Sequence, residues 1–232
     1  MRPTVAERRS KKQDPVGPFP LVIPRGATTL AGFRAWSQAD DFPREGVITF
    51  LNGEIWLDMS PERLLSHNRI KTEETRILAT LAVSDNLGDF YSDRTRLVNK
   101  GADLSTEPDG LFVTWATLQS GKVRLVPTKD GQDFIELEGT PDWVSEIISP
   151  SSEKKDADKL LHAYHKAEIP EYWLIDARRS HIDFQPLVWR PAGYEPVAAK
   201  AGWYASPVFG KAFRWRRHKN VIGQWAYLLE MR

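Results

Sequence analysis

The pattern of hydrophobic and polar positions along the chain marks its strands and helices. Residues 46–50 and 54–59 are mainly apolar, and the dipeptide Asn52-Gly53 between them strongly favours a two-residue hairpin turn. Over residues 66–83 apolar residues recur three and four positions apart, which predicts an amphipathic helix. The first part of the chain therefore predicts a β-hairpin followed by a helix.

The middle of the chain predicts a buried strand, a helix and a second buried strand. Residues 142–148 and 171–176 are mainly apolar, and residues 156–166 between them have helical spacing. Two strands joined by a helix of this length imply a parallel, right-handed crossover. A short helix is predicted over 28–42, and further strands over 90–98, 110–115, 123–126, 133–138, 181–189, 194–198, 208–215 and 223–231.

Composition excludes several classes of protein. The 232 residues are 41% hydrophobic and 27% charged, as expected for a globular protein. No apolar run is long enough to cross a bilayer, and the first residues lack the apolar segment of a secretory signal. The lack of cysteine excludes disulfides and thiolate metal sites and fits the reducing cytoplasm. We expect a cytoplasmic protein with one α/β domain over residues 18–232 and a disordered basic tail over residues 1–17.

Charge is distributed unevenly, although the net charge of +1 does not by itself indicate a nucleic-acid-binding protein. Basic residues cluster near both ends of the chain. The C-terminal cluster contains Lys211, Arg214, Arg216, Arg217 and Lys219. Such a cluster is either a solvated strand edge or a contact for phosphate groups, and the sequence leaves both readings open.

Acidic residues carry the candidate chemistry, since the chain has no glycine-rich nucleotide loop, His-Glu-x-x-His motif or Gly-x-Ser-x-Gly elbow. Glu146 lies near the end of an apolar strand, where an ionised carboxylate is costly to bury without a partner. Asp109 similarly precedes the apolar strand over 110–115. Carboxylates suit hard cations such as Mg²⁺ or Mn²⁺, and a nearby lysine would stabilise charge that develops on a phosphate. The two acids predict a carboxylate metal site.

The helix over residues 66–83 offers a further acid. A helical projection directs Glu74 toward the apolar face and Glu73 to its border. Either glutamate could join the site, Glu74 as a metal ligand or Glu73 as a catalytic acid, or could instead pair with Lys71 or Arg76. His67 at the start of this helix is interpreted as a cap or packing residue rather than a ligand.

Several motifs together resemble those of one known family. They are Glu107-Pro-Asp109, residues 141–151, Asp156, Tyr164 and Ile169-Pro-Glu-Tyr-Trp-Leu-Ile-Asp176, with Asn52-Gly-Glu54, Ser60-Pro61 and His67 upstream. Over residues 45–230 the chain is similar to the Uma family (type two) of restriction-endonuclease-like proteins, within the PD-(D/E)XK nuclease superfamily. The resemblance implies an α/β, restriction-endonuclease-like fold, a mixed β-sheet flanked by helices with additional antiparallel strands toward the C-terminus.

The resemblance also implies roles for individual residues. In the superfamily, an aspartate and a glutamate on adjacent strands bind Mg²⁺ and a lysine assists hydrolysis of the phosphodiester bond. Carried over to this chain, Asp109 and Glu146 become catalytic metal ligands, and the backbone carbonyl of Ile147 a further ligand.

The position of the lysine departs from the pattern of the family. In the superfamily it stands two residues after the second acid, where this chain has Ile148. The Uma pattern takes it from the next helix, where this chain has Leu160. Lys155, in the connector before the helix, is the first replacement, and Lys159 is the second because the helical projection places it on the polar side.

We therefore expect a Mg²⁺- or Mn²⁺-dependent endonuclease that hydrolyses phosphodiester bonds, in DNA rather than RNA. The displaced lysine and the near-neutral charge leave open a non-catalytic module that binds nucleic acid or another partner. Nine tryptophans prompt a third alternative, carbohydrate binding, although Trp115, Trp143 and Trp173 lie in strand patterns that favour core packing. No membrane partner is expected, and a homodimer is compatible because nucleases that cut both strands often pair two sites.

Overall fold

The structure is a computed structural model that describes residues 21–150 and 155–232, except for the side chains of residues 155–157. Its α-helices are α1 (Leu30–Ser37), α2 (Arg69–Ser84), α3 (Trp115–Ser120) and α4 (Leu161–Lys166). Its strands are β1 (Val47–Leu51), β2 (Glu54–Asp58), β3 (Gly88–Ser92), β4 (Leu97–Asn99), β5 (Leu104–Thr106), β6 (Gly110–Thr114), β7 (Val123–Pro127), β8 (Phe134–Gly139), β9 (Trp143–Ile147), β10 (Glu171–Asp176), β11 (Asp183–Val188), β12 (Glu195–Pro196), β13 (Tyr204–Ser206), β14 (Lys211–Lys219) and β15 (Trp225–Met231). The basic tail expected over residues 1–17 lies outside the described residues.

The described strands form three sheets. One has the order β2-β1-β5-β4-β8-β7, the second β12-β11-β10-β9-β6-β3, and the third β13-β14-β15. The first two sheets are mixed, since β4 pairs with β8 and β9 with β10 in parallel, while the third is antiparallel. This arrangement confirms the predicted mixed sheet and the additional antiparallel strands toward the C-terminus.

The second sheet brings the two predicted acids side by side. Strand β6 pairs antiparallel with β9 so that Gly110 lies opposite Ser145. Asp109 therefore lies beside Glu146 at the edge of this pairing, and the Asp109 N–H donates to the Ser145 carbonyl at 3.1 Å. Position 110 needs glycine, because a Cβ there would lie 2.7 Å from the Ser145 hydroxyl and 3.0 Å from the Trp143 ring.

Helices cover both faces of this sheet. Because successive strand residues point to opposite faces, Ser145 faces α2 while Glu146 faces α4. Apolar residues of α2, such as Ile70 and Leu78, pack in one cluster with Trp143. On the other face, residues of α4 pack in a second cluster with β6 and β9. The crossover from β9 to β10 reaches α4 through a π-helical turn, Lys155–Leu160, and confirms the predicted parallel connection.

The third sheet packs on the α2 side of the second sheet. Phe213 of β14 and Leu229 of β15 are buried in the same cluster as Trp143 and Trp173. Trp173 makes an edge-to-face contact with Phe213 at a centroid distance of 5.0 Å. The C-terminal strands thus complete the hydrophobic core on this face rather than forming a separate core.

Three sequence predictions need correction. The strand predicted over 90–98 is two strands, β3 and β4, that belong to different sheets. The helix predicted over 28–42 is limited to α1 and a preceding 3₁₀ turn, Arg25–Thr28. Trp115, expected in the core, starts α3 with 38% of its surface exposed and donates its indole N–H to Asn86, whereas Trp143 and Trp173 are buried as predicted. Among the described residues, no helix has the length and apolarity needed to cross a bilayer.

We propose that residues 18–232 unfold as one cooperative domain, because the third sheet shares its core with the second. Phe213→Ala should lower the free energy of unfolding by about 3–5 kcal/mol, since it opens a cavity at a fully buried position. Phe134→Ala, at a position that is 56% exposed, should cost less than about 1 kcal/mol. Urea unfolding followed by fluorescence and circular dichroism would check this. Two unfolding transitions, of which only one shifts its urea midpoint in Phe213→Ala, would contradict a single domain.

Candidate active site

A cleft of about 750 Å³ opens where the ends of β2, β6 and β9 meet the start of α2. Asp109 and Glu146 both line it, together with Ile147. The polar residues that share the cleft include Glu62, His67, Lys71, Asp93, Arg94 and Glu107. Asp109 and Glu146, the two acids predicted to form a metal site, therefore lie on the walls of one cleft that is open to solvent.

Asp109 is held in the cleft by three groups, Lys71, His67 and the Ile147 N–H. Its Oδ1 lies 2.9 Å from Lys71 Nζ, and its Oδ2 lies 3.3 Å from His67 Nε2. Oδ2 also accepts the backbone N–H of Ile147 at 2.8 Å. Burial would raise the pKa of Asp109, but His67, Lys71 and the Ile147 N–H outweigh it and hold the pKa well below its ordinary value. Asp109 is therefore ionised at all physiological pH values.

Lys71 provides the cation that compensates Asp109. It is buried on α2, and its ammonium group also lies 2.5 Å from Glu62 Oε1 and 3.2 Å from Asp93 Oδ1. Burial would lower the pKa of Lys71, but the charges of Asp109, Glu62 and Asp93 outweigh this effect and raise the pKa. Lys71 therefore remains protonated and acts as a fixed positive charge in the cleft.

His67 lies one helical turn before Lys71 and points into the same cleft. Burial would lower its pKa, but the adjacent Asp109 carboxylate outweighs burial and raises the pKa above the ordinary value. One ligand atom each from His67, Glu62 and Asp109 lie within 4.8 Å of one another, so these residues could hold a metal ion together. His67, which the sequence suggested as a cap or packing residue, therefore lines the cleft instead.

Glu146 reaches the cleft from β9. Its side chain is buried, and Glu146 Oε1 accepts a hydrogen bond from the Tyr164 hydroxyl of α4 at 2.5 Å. The Tyr164 contact orients the carboxylate from the α4 side, while Asp109 is held from the α2 side by Lys71 and His67. Glu107, which belongs to the same motif as Asp109, is instead ion-paired with Arg96.

Glu74 lies behind the cleft rather than in its wall. It is buried on the opposite face of β9 from Glu146, and its Oε2 accepts the Ser145 hydroxyl at 2.7 Å. Its Oε1 has no hydrogen-bond partner among the described residues. Burial, reinforced by the nearby charge of Asp109, raises the pKa of Glu74 to about 8. Glu74, expected as a metal ligand, is therefore a neutral acid one layer below the cleft at pH 7.

Of three other candidates, Glu73 and Lys159 lie away from the cleft, and the side chain of Lys155 lies outside the described residues. Glu73 forms an ion pair with Arg76 at 2.8 Å and accepts the Leu229 N–H at 3.1 Å, so it faces the third sheet. Lys159 is exposed and does not line the cleft. Lys155 starts the π-helical turn, and its side chain lies outside the described residues. Leu160, at the family position of the lysine, is buried in the core.

The sequence pattern after Glu146 does not indicate Lys71, because Lys71 lies far upstream on α2. A signal was present on the helix, since His67, Lys71 and Glu74 follow i, i+4, i+7 spacing and share one face. That face continues into Ile70 and Leu78, which are buried. Polar residues that begin an otherwise apolar helix face indicate a site at that end of the helix.

The donor set of the cleft fits a divalent cation. It combines carboxylates of Asp109, Glu146 and Glu62 with one imidazole; Asp109 is ionised, and Glu62 is exposed to solvent. Such oxygen-rich sites suit Mg²⁺ and Mn²⁺, and an added imidazole favours Mn²⁺ over Mg²⁺.

Comparisons with known proteins agree with the geometry. A family model described as "Uma2: Putative restriction endonuclease" matches residues 31–213, well over half of the chain. A solved structure, described as a putative nuclease belonging to DUF820 from Anabaena variabilis ATCC 29413, matches with a TM-score of 0.56 and 20% identity. The match covers 78% of this chain and 90% of that one, and at this identity it establishes a shared fold. No curated protein matches the chain.

The raised pKa of Glu74 predicts a pH dependence of stability. Because the pKa is about 8 in the folded chain and 4.5 ordinarily, protonated Glu74 favours the folded state. This advantage is complete below pH 4.5 and is lost as the pH rises toward 8, at a cost of a few kcal/mol. Glu74→Gln should remove this part of the pH dependence, whereas Glu73→Gln should retain it. Urea unfolding at pH 5.5 and 8.5 would check the difference. An equal change in unfolding free energy between the two pH values for Glu74→Gln and the wild type would refute the prediction.

Proposed function

The chain belongs to the Uma2 family, and on this basis we propose that it is a metal-dependent endonuclease that hydrolyses phosphodiester bonds in DNA. The observation that carries the proposal is the convergence of Asp109, Glu146 and the buried Lys71 in one solvent-open cleft. Two carboxylates and a fixed cation are the residue types that phosphodiester hydrolysis requires.

Asp109 and Glu146 would hold Mg²⁺ or Mn²⁺, with the Ile147 carbonyl as a further ligand. Glu62 and His67 extend the donor set on the α2 side. When bound, such a cation supplies a nucleophilic water at neutral pH and neutralises charge on the phosphate. The Tyr164 hydroxyl orients the Glu146 carboxylate and the Ile147 N–H orients the Asp109 carboxylate, so hydrogen bonds from neighbouring groups hold both acids in place.

Lys71 is proposed as the catalytic lysine in place of Lys155 and Lys159. Because it remains protonated, it cannot remove a proton from water, and its role is to donate to the phosphate and stabilise the developing charge. Its position on α2 rather than on β9 places its ammonium group 2.9 Å from the Asp109 carboxylate.

One observation favours the alternative of a non-catalytic binding module. Both oxygens of Asp109 already have protein partners, Lys71 on Oδ1 and His67 with the Ile147 N–H on Oδ2. The Lys71 ammonium group thus lies against Asp109, where a bound metal ion would lie. A metal ion would have to compete with Lys71 for Asp109. Metal-dependent cleavage of DNA would support the endonuclease, and its absence would support the binding module. A homodimer that pairs two sites stays a prediction.

The purified chain should cleave duplex DNA with Mg²⁺ or Mn²⁺ and stop when EDTA is added. Asp109→Asn and Glu146→Gln should each reduce the rate by about 10²-fold or more, because each removes a charged group that acts in the transition state. Asp158→Asn, at an exposed carboxylate outside the cleft, should retain wild-type activity. Gel assays of a linear duplex would measure the rates, and cleavage that survives both cleft substitutions would rule out this site.

Lys71→Met removes the charge while keeping a long side chain in the cleft. We expect it to slow cleavage by about 10²–10³-fold if Lys71 stabilises the transition state. Lys159→Met is the matched control at an exposed lysine and should leave the rate unchanged.

Mn²⁺ binding, measured by calorimetry on the same two variants, separates the alternatives. A catalytic Lys71 predicts loss of rate with metal still bound. A variant that binds Mn²⁺ more tightly than the wild type, when neither protein cleaves, would instead identify Lys71 as a built-in substitute for the metal.

A further inference from the structure

The turn between β14 and β15 presents two apolar residues to solvent. Val221 is fully exposed and Ile222 is 71% exposed. The turn is nevertheless ordered, since the Asn220 side-chain oxygen accepts the backbone N–H groups of Ile222 and Gln224 at 3.1 and 2.9 Å. The Asn220 backbone N–H also donates to the Gln224 carbonyl at 2.9 Å. The tip is therefore a fixed projection with an apolar end.

Contacts with α2 fix the direction of this hairpin. Arg69, at the first turn of α2, donates to the Trp225 carbonyl at 2.5 Å and to the Gln224 side chain at 2.9 Å. Glu73, one turn later, accepts the Leu229 N–H. At the other end, Lys211 lies 3.0 Å from Asp85, directly after α2. Strand β15 thus runs parallel to α2.

The tip consequently lies at the N-terminal end of α2. This is the end at which His67 and Lys71 line the cleft. Arg69, which holds the base of the tip, is two residues from His67, a helical rise of about 3 Å. Because residues two positions apart on a helix point about 200° apart, the apolar tip and the carboxylate cleft lie at the same end of α2 but on opposite flanks of it.

The outer half of the hairpin is strongly basic. Residues 216–225 contain Arg216, Arg217, His218 and Lys219 and no acidic residue. Arg217 and Lys219 lie 3.7 and 3.6 Å from the centroid of the Trp225 ring, which orders both side chains. The only acid of β15, Glu230, lies toward the base of the hairpin, where Arg214 pairs with one carboxylate oxygen at 2.5 Å and the exposed Arg216 lies 3.5 Å from the other.

We propose that this hairpin tip is a duplex-DNA contact that positions the substrate at the cleft. Arg216 and Lys219 bind backbone phosphates on either side, and Val221 with Ile222 packs against sugars and base edges in the minor groove. Cations beside an apolar wedge are the residues that proteins use to bind and deform the minor groove. An anionic membrane offers the same charge, but the location at the same end of α2 as the cleft favours the substrate. The proposal rests on the proposed nuclease function.

Binding can be measured separately from cleavage. The full chain would be titrated into a fluorescent 30-base-pair duplex in EDTA, at several salt concentrations, and anisotropy recorded. One double variant, Arg216→Gln with Lys219→Gln, removes the phosphate contacts. A second, Val221→Ser with Ile222→Ser, removes the apolar tip. The matched controls are Lys122→Gln with Lys129→Gln, and Val83→Ser, all exposed residues elsewhere in the fold.

The basic double variant should bind about ten-fold more weakly and lower the slope of log K against log salt by about two, one for each lost phosphate contact. The apolar double variant should bind about five-fold more weakly with an unchanged slope, because its contacts do not release counterions. The controls should bind within about two-fold of the wild type. Tip variants that bind like the controls would overturn the proposal, as would a wild-type chain that binds no duplex.

Phosphatidylserine vesicles provide the competing partner. Sedimentation with vesicles that depends on Val221 and Ile222, while duplex binding does not, would assign the tip to a membrane and overturn the proposal. Failure of the nuclease proposal looks different. A chain that binds duplex through the tip but never cleaves with Mg²⁺ or Mn²⁺ would refute catalysis and leave the contact intact.

Discussion

The structure depends on the compensation of one buried negative charge, the carboxylate of Asp109. An ionised carboxylate that leaves water must gain hydrogen bonds and opposite charge, or it becomes neutral. Here Lys71, His67 and the Ile147 N–H supply both, and they come from α2 and β9. The same contacts join the helix to the sheet edge. Removal of Asp109 would leave Lys71 buried among weaker partners, so the site and the local packing are a single arrangement.

The surrounding acids differ in charge because their environments differ. Asp109 stays ionised beside Lys71 and His67, whereas Glu74, two helical turns beyond His67 and beneath Ser145, is neutral because burial dominates. This separation places negative charge on the solvent side of the sheet edge and a neutral acid behind it. A cation from solvent would therefore meet the ionised acids first. The hairpin beside the same helix end adds positive charge outside the cleft, where a polyanion would approach.

The sequence was informative where a polar residue interrupts an apolar strand. Asp109 and Glu146 stand out because strands β6 and β9 are otherwise apolar, and the resemblance to the nuclease superfamily, not the pattern itself, implied that the two strands are adjacent. Lys71 and His67 do not stand out, because a helix normally directs lysine and histidine to solvent and only the position of the sheet shows which end of α2 is covered. The division of residues 90–98 between two sheets was missed for a similar reason, since alternation gives the period of a strand and not its partners. Both the placement of Lys71 and His67 and the division of residues 90–98 depend on contacts between residues that are far apart in the sequence.

We propose that Asp109 and Glu146 share one metal ion in competition with Lys71. Crystals soaked in Mn²⁺ and measured at its absorption edge test this most directly. The account predicts one anomalous peak bound to both carboxylates, with Lys71 Nζ displaced from the Asp109 oxygen that it contacts at 2.9 Å. No peak in the cleft at saturating Mn²⁺, with Lys71 still bound to Asp109, would contradict it.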